Sequence, residues 1–326
     1  MGGSFSSEES ESRPRPLATG ISCQLLAKYA LGELLDEGAY GRVFACRPQG
    51  GPGSGRAVEE EEGAGDLAVK LIDKADTPME ASLREAEVLK ALTHPNIVGF
   101  HEVFSDGFFV CIVMDKYNGG NLLRGMELHQ RQHGRIECQS VIHVFAQAAI
   151  AVQYLHGRLL MHRDVKGDNF LLDRPELADP ECRVALGDFD TACHLGPTER
   201  LPPERSGTKK YWAPERFGTD EGTGGICGQE GYGYKADVWA LGVVLYTLLA
   251  GHFPFADDES VRTKEPKYSK RLHPHCEELL RAMLEKREDR RLSAAEVLSH
   301  RWICQWPGTG NSSGACCPTR RSGAAA

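Results

Sequence analysis

The sequence predicts an α+β fold with two lobes, in which a strand-rich first part is followed by a helical second part. A chain of 326 residues is too long for one small core and suits one two-lobed domain or two ordinary domains. Short strand patterns dominate up to about residue 114, and helical spacing dominates after Gly119-Gly120. This order places the boundary between the two parts, and any cleft, at about residues 114–121.

Composition and charge narrow the class of protein. An apolar content of 41% and a charged content of 26% are typical of a soluble globular chain. The net charge of -8 argues against nucleic acid as a partner, because no basic face follows from the total. The eleven cysteines are scattered, make no C-x-x-C pair and follow no signal peptide, so reduced thiols and a cytoplasmic location are predicted. Oligomeric state has no signal in the sequence.

Strand patterns and one helix make up the first part. Residues 1–27 are rich in Ser, Glu, Arg and Pro and are predicted to be a disordered tail, and residues 49–66 read as an acidic Gly-rich insertion. The predicted elements are a strand–turn–strand from Tyr29 to Cys46, a strand from Leu67 to Ile72, a helix from Met79 to Leu92, and strands around 98–103 and 108–114. The apolar positions expected on the buried face of this helix are Leu83, Val88, Leu89 and Leu92.

Helices make up the second part. Apolar residues recur every three or four positions from Val141 to Leu155, which predicts a long amphipathic helix. The segment Asp237–Ala250 is apolar on every face and predicts a buried central helix. Its apolar run is the longest in the chain and is shorter than the roughly 18 residues that a membrane span needs. Two further helices are predicted at 276–286 and 293–300, and a flexible tail at 304–326.

A glycine-bearing turn and a buried lysine are the first chemical signals. In D-E-G-A-Y-G-R-V (Asp36–Val43), Gly38 and Gly41 let backbone N–H groups approach phosphate oxygens without an intervening Cβ. Lys70 lies in an apolar strand, where an ammonium is costly unless it is paired. Glu85, on the helix that follows, is the natural partner, although an unrelated surface Lys and Glu would read the same in isolation.

Two polar motifs in the second part are more specific. The first is H-R-D-V-K-G-D-N (His162–Asn169), which is followed by a short strand. The second is L-G-D-F-D (Leu186–Asp190), which follows another short strand, so the two strands are expected to pair as a hairpin. Downstream lie G-T-K-K-Y-W-A-P-E (Gly207–Glu215), D-V-W-A-L-G from Asp237, and R-R-L-S, which contains Arg291. The motifs in this order, across about residues 28 to 303, resemble the protein kinase family.

The resemblance implies a bilobal protein kinase fold. Residues 28–117 would form an N-lobe with a small antiparallel sheet and one helix, and 118–303 a larger helical C-lobe. The implied reaction transfers the γ-phosphoryl group of ATP to Ser/Thr hydroxyls of a protein substrate, and Lys166 is typical of the serine/threonine class. Arg291 is expected to pair with Glu215 in a structural role.

The resemblance also assigns the site residues. Asp164 would accept or orient the substrate hydroxyl proton, Lys166 would meet the γ-phosphate, and Lys70, held by Glu85, would meet the α/β-phosphates. Asn169 and Asp188 would bind Mg²⁺. The residues implied for ATP binding besides Lys70 are the phosphate-loop Gly38 and Gly41, the gatekeeper Met114, the hinge residues Asp115 and Tyr117, and the apolar contacts Val43, Ala68 and Leu171.

The chain departs from the family pattern in several places. Asp190 replaces the glycine of D-F-G, so a left-handed residue there would cost about 1–2 kcal/mol and bias the enzyme towards an inactive state, and Asp190→Gly is expected to raise activity or tighten nucleotide binding. The alternative is that Asp190 bonds local backbone N–H groups and stabilises the active turn. Glu204 stands four residues before Thr208, where a phosphorylated residue often pairs with the equivalent of Arg163, so activation without that phosphate is expected. If Glu204 is an ordinary surface glutamate, Thr198 or Ser206 would be the phosphorylated residue. Asn121 and Asp168 occupy positions that read basic substrates in relatives, so no basic consensus is predicted. Residues 218–233 read as a surface insertion.

Two other functions fit parts of the sequence. A pseudokinase that acts as a nucleotide- or partner-binding scaffold usually lacks at least one of Lys70, Glu85, Asp164, Asn169 and Asp188, and all five are present. Phosphotransfer to a small molecule would not need the A-P-E segment. The N-terminal M-G-G-S-F-S fits the N-myristoylation pattern, so peripheral membrane attachment through an N-terminal lipid is expected. One chain binds weakly, and Cys23 or Cys316-Cys317 would supply a second acyl site.

Overall fold

The computed structural model describes residues 23–38, 41–49, 67–203, 206–217 and 231–305. The chain divides into two compact units, the first comprising Met1–Ala86 with Phe100–Lys116 and the second Glu87–Gly99 with Tyr117–Ala326. Residues Glu87–Gly99 therefore belong with the second unit, whereas the predicted N-lobe, 28–117, included them. The N-terminal lipidation motif, the acidic insertion after Gln49, Glu204, residues 218–230 of the Gly-rich insertion, and the C-terminal tail from 306 on lie outside the described residues.

The first unit is built on one antiparallel sheet with strand order β1-β2-β3-β5-β4. Its strands are β1 (Tyr29–Gly38), β2 (Gly41–Pro48), β3 (Leu67–Asp73), β4 (Phe100–Asp106) and β5 (Phe109–Asp115), and its helices are α1 (Cys23–Lys28) and α2 (Met79–Lys90). All of the strands predicted for this part are confirmed, within three residues at each end. The last residues of α2, from Glu87 on, fall in the second unit.

One face of this sheet forms the core of the first unit. Alternate residues of the three central strands point to it, among them Phe44, Val69 and Val113, and Leu25 of α1 is buried against them. Residues 23–27 were predicted to be part of a disordered tail, and that prediction is wrong. The apolar Leu25 has a place to pack, because the sheet presents a continuous apolar face beside it.

The buried face predicted for helix α2 is only partly confirmed. Leu89 and Leu92 are buried as predicted, but Leu83 is 40% exposed. Ser82, Glu85 and Ala86 are buried instead, so the buried face is rotated away from Leu83. The predicted periodicity counted only the larger apolar residues and therefore included Leu83.

The second unit is mainly helical. Its helices are α3 (Leu122–His133), α4 (Cys138–His156), α5 (Lys235–Ala250), α6 (Asp258–Thr263), α7 (Pro274–Met283) and α8 (Ala294–Leu298), with short 3₁₀ turns that include Gly167–Asn169 and Ile303–Gln305. Its strands are β6 (Gly120–Asn121), β7 (Leu160–Met161), β8 (Phe170–Leu172), β9 (Val184–Leu186) and β10 (Cys193–His194). Strands β6, β8 and β9 form one sheet, and β7 pairs with β10. The predicted hairpin of β8 and β9 is confirmed.

Helix α5 is the centre of the second unit, as predicted. It is buried from Ala236 to Leu249 and packs against α4 and α7. It ends at Gly251, whose φ of 75° is left-handed and suits glycine. By length and composition, helix α4 could cross a membrane, which the sequence pattern did not indicate. Of the 18-residue stretch that meets these criteria, 72% is buried inside the protein.

Short capping motifs set the ends of several helices. Ser293 and Glu296 form a capping box at the start of α8, and Pro274 occupies the first turn of α7. Helix α3 was not predicted, because Gly125 and few apolar residues weaken its pattern. It begins where the Asn121 side chain accepts a hydrogen bond from the backbone N–H of Arg124 at 2.9 Å.

Candidate active site

Four of the predicted nucleotide-binding residues share one face of the first sheet. In the strand register Val43 lies opposite Lys70, and Ala68 lies opposite Met114. Directly opposed side chains point to the same face of a sheet, and residues two apart in one strand also do. Val43, Ala68, Lys70 and Met114 are therefore brought together on the face opposite the core of the unit.

The β1–β2 turn lies at the end of the same sheet, and its second glycine is required by the backbone. Gly38 and Gly41 are paired at the end of the two strands. Gly41 has a φ of 143°, and a Cβ there would lie 2.4 Å from the carbonyl oxygen of Leu71. A Cβ on Gly38 would meet no heavy atom within 4 Å, so the side of the turn at Gly38 is open. Gly41 therefore serves the fold, and Gly38 leaves room for a close approach.

Lys70 and Glu85 form the ion pair that the sequence predicts. The Lys70 Nζ donates to Glu85 Oε1 at 2.7 Å. Both residues are buried, with 7% and 6% of their surfaces exposed. The lysine comes from β3 and the glutamate from α2, so the pair ties the helix to the sheet. Asp115, at the end of β5, is half-buried and bonds through its side chain to His101 at 2.7 Å.

In the second unit, one buried carboxylate anchors the catalytic-loop motif. Asp237, in the first turn of α5, accepts hydrogen bonds from the backbone N–H groups of His162 and Arg163 at 2.9 and 3.0 Å. Its Oδ2 also contacts His156 Nε2 at 3.0 Å. Burial would raise the pKa of Asp237, but the hydrogen bond and charge of His156, with the charge and backbone of His162, hold that pKa below its usual value. These contacts stabilise the left-handed φ of 69° at Arg163.

Asp164 is held through both of its carboxylate oxygens. Oδ1 accepts from the backbone N–H of Thr208 at 2.7 Å, and Oδ2 accepts from Lys166 Nζ at 2.7 Å. Burial would lower the pKa of Lys166, but the hydrogen bond and charge of Asp164, with the nearby carboxylates of Asp188 and Asp168, raise it above its usual value. Lys166 is therefore a cation at neutral pH and is held against the Asp164 carboxylate.

Of the two residues predicted to hold a metal ion, Asn169 is bonded to Asp164, and Asp188 follows a residue that is bonded to Asn169. The Asn169 Nδ2 donates to the Asp164 backbone carbonyl at 2.9 Å, which orients the amide and leaves its oxygen directed elsewhere. The backbone N–H of Gly187 donates to the Asn169 carbonyl at 2.9 Å, which fixes the backbone directly before Asp188. Phe189 is buried, and its ring lies 5.0 Å from that of His162.

The left-handed strain expected at Asp190 is found two residues earlier. Asp188 has a φ of 61°, whereas Asp190 is not among the described residues with a positive φ. Asp190 lies in a turn in which the Ala192 N–H donates to the Phe189 carbonyl at 3.1 Å. An aspartate fits this turn without a backbone penalty. The expected cost of replacing glycine is therefore wrong for this conformation.

The pair Glu215–Arg291 is present as predicted. The two guanidinium end nitrogens donate to the two carboxylate oxygens at 2.6 and 2.9 Å, and both residues are buried. The other N–H groups of Arg291 reach backbone carbonyls of Lys235, Glu285 and Lys286. This arginine is a structural clamp, because all of its donors are used within the protein.

The remaining predicted site residues lie in the second unit. Tyr117 is half-buried just before β6, and Leu171 is half-buried in β8, where it pairs with Asn121 and Ala185. Their approach to adenine stays a prediction. Asn121, considered for substrate reading, caps α3, so its side chain has a structural partner.

Several residues that position Asp164 were not predicted from the sequence. Thr208 holds it through the backbone, and its Oγ1 lies 3.3 Å from Lys166 Nζ. Gly207 has a φ of 75° and would place a Cβ 2.7 Å from the Arg163 carbonyl oxygen, so only glycine allows this docking. The Arg216 guanidinium donates to the same oxygen at 2.7 Å. The only signal in the sequence was that a glycine directly precedes Thr208.

Comparisons with known proteins agree with this geometry. The family described as "Protein kinase domain" matches residues 29–303. CBL-interacting protein kinase 25 of Oryza sativa subsp. japonica is 32% identical over 301 residues, covering 85% of this chain and 51% of the relative. CBL-interacting serine/threonine-protein kinase 15 of Arabidopsis thaliana is 28% identical over 293 residues, covering 86% and 62%. Serine/threonine-protein kinase KIN4 of Saccharomyces cerevisiae is 29% identical over 294 residues, covering 84% and 34%.

The family match covers most of the chain, including the motifs from Asp36 to Arg291, so the chain belongs to the protein kinase family and has its bilobal fold. It spans less than two thirds of the length of each of these relatives.

Proposed function

We propose that this chain is a serine/threonine protein kinase that transfers the γ-phosphoryl group of ATP to hydroxyls of protein substrates. The observation that carries the proposal is the Asp164 carboxylate, which Thr208 and Lys166 hold through both oxygens. Each carboxylate oxygen has a second lone pair, so Asp164 can still accept a hydrogen bond from a substrate hydroxyl. It would orient that hydroxyl and accept its proton.

Lys166 and Lys70 would supply positive charge to two different parts of ATP in the proposed reaction. Lys166 is kept cationic beside Asp164 and would meet the transferred phosphoryl group. Lys70 is held by Glu85 on the predicted nucleotide face of the first sheet and would meet the α/β-phosphates. Both side chains are oriented before substrate binds, which is how electrostatic stabilisation avoids a reorganisation cost.

The residues present fit ATP and Mg²⁺. The open side of the turn at Gly38 allows a phosphate to approach the backbone. Asn169 and Asp188 provide oxygen donors, which are the ligands that Mg²⁺ prefers, and the amide of Asn169 is oriented by its bond to Asp164. When bound, the metal neutralises phosphate charge. Asn169 and Asp188 would hold it.

Support for a protein substrate comes from the A-P-E segment and from the relatives. Arg291 clamps Glu215 in the second unit, and Gly207-Thr208 docks on Asp164. This connects the segment implied in substrate docking to the catalytic aspartate. Two of the relatives above are themselves named serine/threonine-protein kinases. Nothing among the described residues favours the pseudokinase alternative, because Lys70, Glu85, Asp164, Asn169 and Asp188 are all present.

The test is a steady-state assay with Mg-ATP and a peptide library. Asp164→Asn removes the proton acceptor with little change of shape, and kcat should fall by about 10²–10⁴. Asp289→Asn, an exposed aspartate paired with Arg287, is the matched control and should keep the wild-type rate. Thermal unfolding of both variants should match the wild type. An Asp164→Asn enzyme that keeps the wild-type rate would refute the assignment.

Two regulatory features outside the described residues are also proposed. Glu204 is proposed to replace an activating phosphate. Equal activity of Glu204→Ala and phosphatase-treated wild type would show that Glu204 has no part in activation. A cytoplasmic enzyme attached to membrane by an N-terminal myristoyl group is proposed from the M-G-x-x-x-S pattern. Mass spectrometry of the cell-derived N-terminus checks this, since an unmodified Gly2 or a retained Met1 contradicts it.

A further inference from the structure

Three potential metal ligands meet at the end of helix α3, and none of them is among the residues predicted to bind ATP or Mg²⁺. His129 and His133 are one turn apart on α3, so both side chains lie on the same face. Glu176 comes from the loop between β8 and β9. One donor atom from each of the three residues lies within 4.8 Å of the other two.

The distances are close to those of a tetrahedral zinc site. His129 Nδ1 lies 3.0 Å from Glu176 Oε1, and His133 Nε2 lies 3.4 Å from Glu176 Oε2. Zinc–ligand bonds of about 2.0–2.1 Å place neighbouring tetrahedral ligands roughly 3.3–3.4 Å apart. The two imidazole rings have centroids 4.9 Å apart, and the two histidine contacts are made to different oxygens of the one carboxylate. The side chain of His133 is 56% exposed, so it has room to turn.

The carboxylate is held in place by its own loop. Glu176 Oε1 also accepts a hydrogen bond from the backbone N–H of Ala178 at 3.0 Å. Leu177, between them, is fully buried, and a Cβ on Gly125 of α3 would lie 3.4 Å from its side chain. The loop therefore packs directly on α3, so Glu176 and the histidines keep their relative positions without a metal.

The local field also favours a cation. His133 is the last residue of α3, where the free carbonyl ends of a helix carry partial negative charge. As metal ligands, two imidazoles and one carboxylate would together contribute a single formal negative charge. Imidazole-rich sites select zinc and similar transition metals, whereas Mg²⁺ prefers oxygen ligands. A cation here would therefore not compete with the Mg²⁺ of phosphoryl transfer.

We propose that His129, His133 and Glu176 bind one divalent transition-metal ion of the Zn²⁺ class, which links helix α3 to the β8–β9 loop. Three protein ligands leave a fourth position for water, and the exposure of His133 makes the ion exchangeable. The competing explanation is that the three side chains only share hydrogen bonds between imidazolium and carboxylate. The two explanations differ in whether a metal is bound.

The first experiment titrates Zn²⁺ into the full-length protein in competition with a chromophoric chelator. His133→Ala and Glu176→Gln each remove one ligand, and Gln132→Ala, an exposed neighbour on the same helix, is the matched control. Loss of even a supporting outer-shell residue typically costs 10–100-fold in metal affinity, so loss of a ligand should cost about 100-fold or more. Wild type and Gln132→Ala should bind one more tight equivalent than the two ligand variants. Equal stoichiometry and affinity in all four proteins would overturn the proposal.

The second experiment separates this site from the cysteines of the chain, such as the exposed Cys304. Co²⁺ bound by two histidines and a glutamate should give visible d–d absorption without a thiolate-to-metal charge-transfer band. The His133→Cys variant should keep the metal and gain that band. Zinc should also raise the thermal midpoint of wild type and Gln132→Ala, but not of Glu176→Gln. A thiolate band in the wild type that persists in Glu176→Gln, with no change on His133→Cys, would place the metal elsewhere and sink the idea.

Discussion

Lys70–Glu85 in the first unit and Glu215–Arg291 in the second are both buried ion pairs, and they differ in how completely the cation is enclosed. In the second unit, Arg291 donates two hydrogen bonds to Glu215, at 2.6 and 2.9 Å, and its other N–H groups donate to backbone carbonyls. In the first unit, Lys70 donates to Glu85 Oε1 at 2.7 Å from a compact ammonium on a flexible stem. The planar guanidinium has one geometry available, whereas the ammonium can turn about its stem.

This difference indicates a structural role for Arg291 and a role in the proposed reaction for Lys70. Arg291 is 1% exposed and joins A-P-E to the start of α5 and the residues before α8, so it holds segments far apart in sequence. Lys70 lies on the sheet face that also carries Val43, Ala68 and Met114. We expect loss of the first pair to appear mainly as lost stability and loss of the second mainly as lost activity.

The largest effect on stability is expected for Arg291→Leu. The change leaves the buried Glu215 carboxylate without its cation, which should cost about 3–5 kcal/mol. At about 2–4 °C per kcal/mol, the thermal midpoint should fall by roughly 6 °C or more. Scanning calorimetry or circular dichroism measures it.

The control for that prediction is Arg281→Leu. Arg281 pairs with Glu277 on the surface of α7, and 52% of its side chain is exposed. Exposed pairs contribute about 0–1 kcal/mol, so its midpoint should change little. The double change Glu215→Leu with Arg291→Leu should recover stability relative to Arg291→Leu alone, because no uncompensated charge remains. Equal losses for Arg281 and Arg291 would contradict the clamp.

The largest effect on activity within the comparison is expected for Lys70→Met. Removing one positioned electrostatic group from an active site typically lowers kcat by about 10²–10³. Glu85 also loses its cation, so a stability loss of up to about 3–5 kcal/mol accompanies the change, and kcat is compared per folded molecule. Lys90→Met, an exposed lysine at the end of α2, is the control. A variant that loses its fold but keeps its rate per folded molecule would reverse the roles of the two pairs.

A smaller effect is expected for Glu85→Gln. The amide still accepts a hydrogen bond from Lys70 but lacks charge, and charge-assisted bonds are roughly twice as strong as neutral ones. A loss near 1.4 kcal/mol corresponds to about tenfold in kcat/KM for ATP. Glu87→Gln, exposed on the same helix, is the matched control. Steady-state kinetics with varied ATP decides it, and an unchanged kcat/KM means that Glu85 does not position Lys70.

The smallest effect is expected for Asp190→Gly. This variant tests whether backbone strain or the charge of Asp190 affects the activity. Since Asp190 has no positive φ here, glycine relieves no strain and adds backbone freedom worth about 0.5–1 kcal/mol. Activity should fall about two- to fivefold by this arithmetic. The sequence alone predicted a rise. Asp190→Ala is the control, since it removes the carboxylate without adding freedom. Higher activity or tighter nucleotide binding in the glycine variant alone would restore the inactive-bias interpretation.

The sequence predicted most of the fold because its signals are local. Strands β1 to β5 and helices α4 and α5 show a regular apolar period or an unbroken apolar run within a few residues. Helix α3 was missed because its helical signal is weak and its stability comes from a side-chain cap and from packing. Leu83 was wrongly placed on the buried face of α2, because the polar Glu85, with its partner in β3, takes part of that face.

The sequence by itself determined the family and the pairings Lys70–Glu85 and Glu215–Arg291, because spaced motifs identify residues whatever the details of packing. Only the tertiary structure decided that Asp188 rather than Asp190 has the left-handed φ. The tertiary structure also decided that Thr208 fixes Asp164, and that Glu176 meets His129 across 47 residues of chain. The physical reason is the same in each case. Backbone angles and long-range contacts depend on how segments pack, and no local pattern of residue types records the position of a distant backbone N–H or carboxylate.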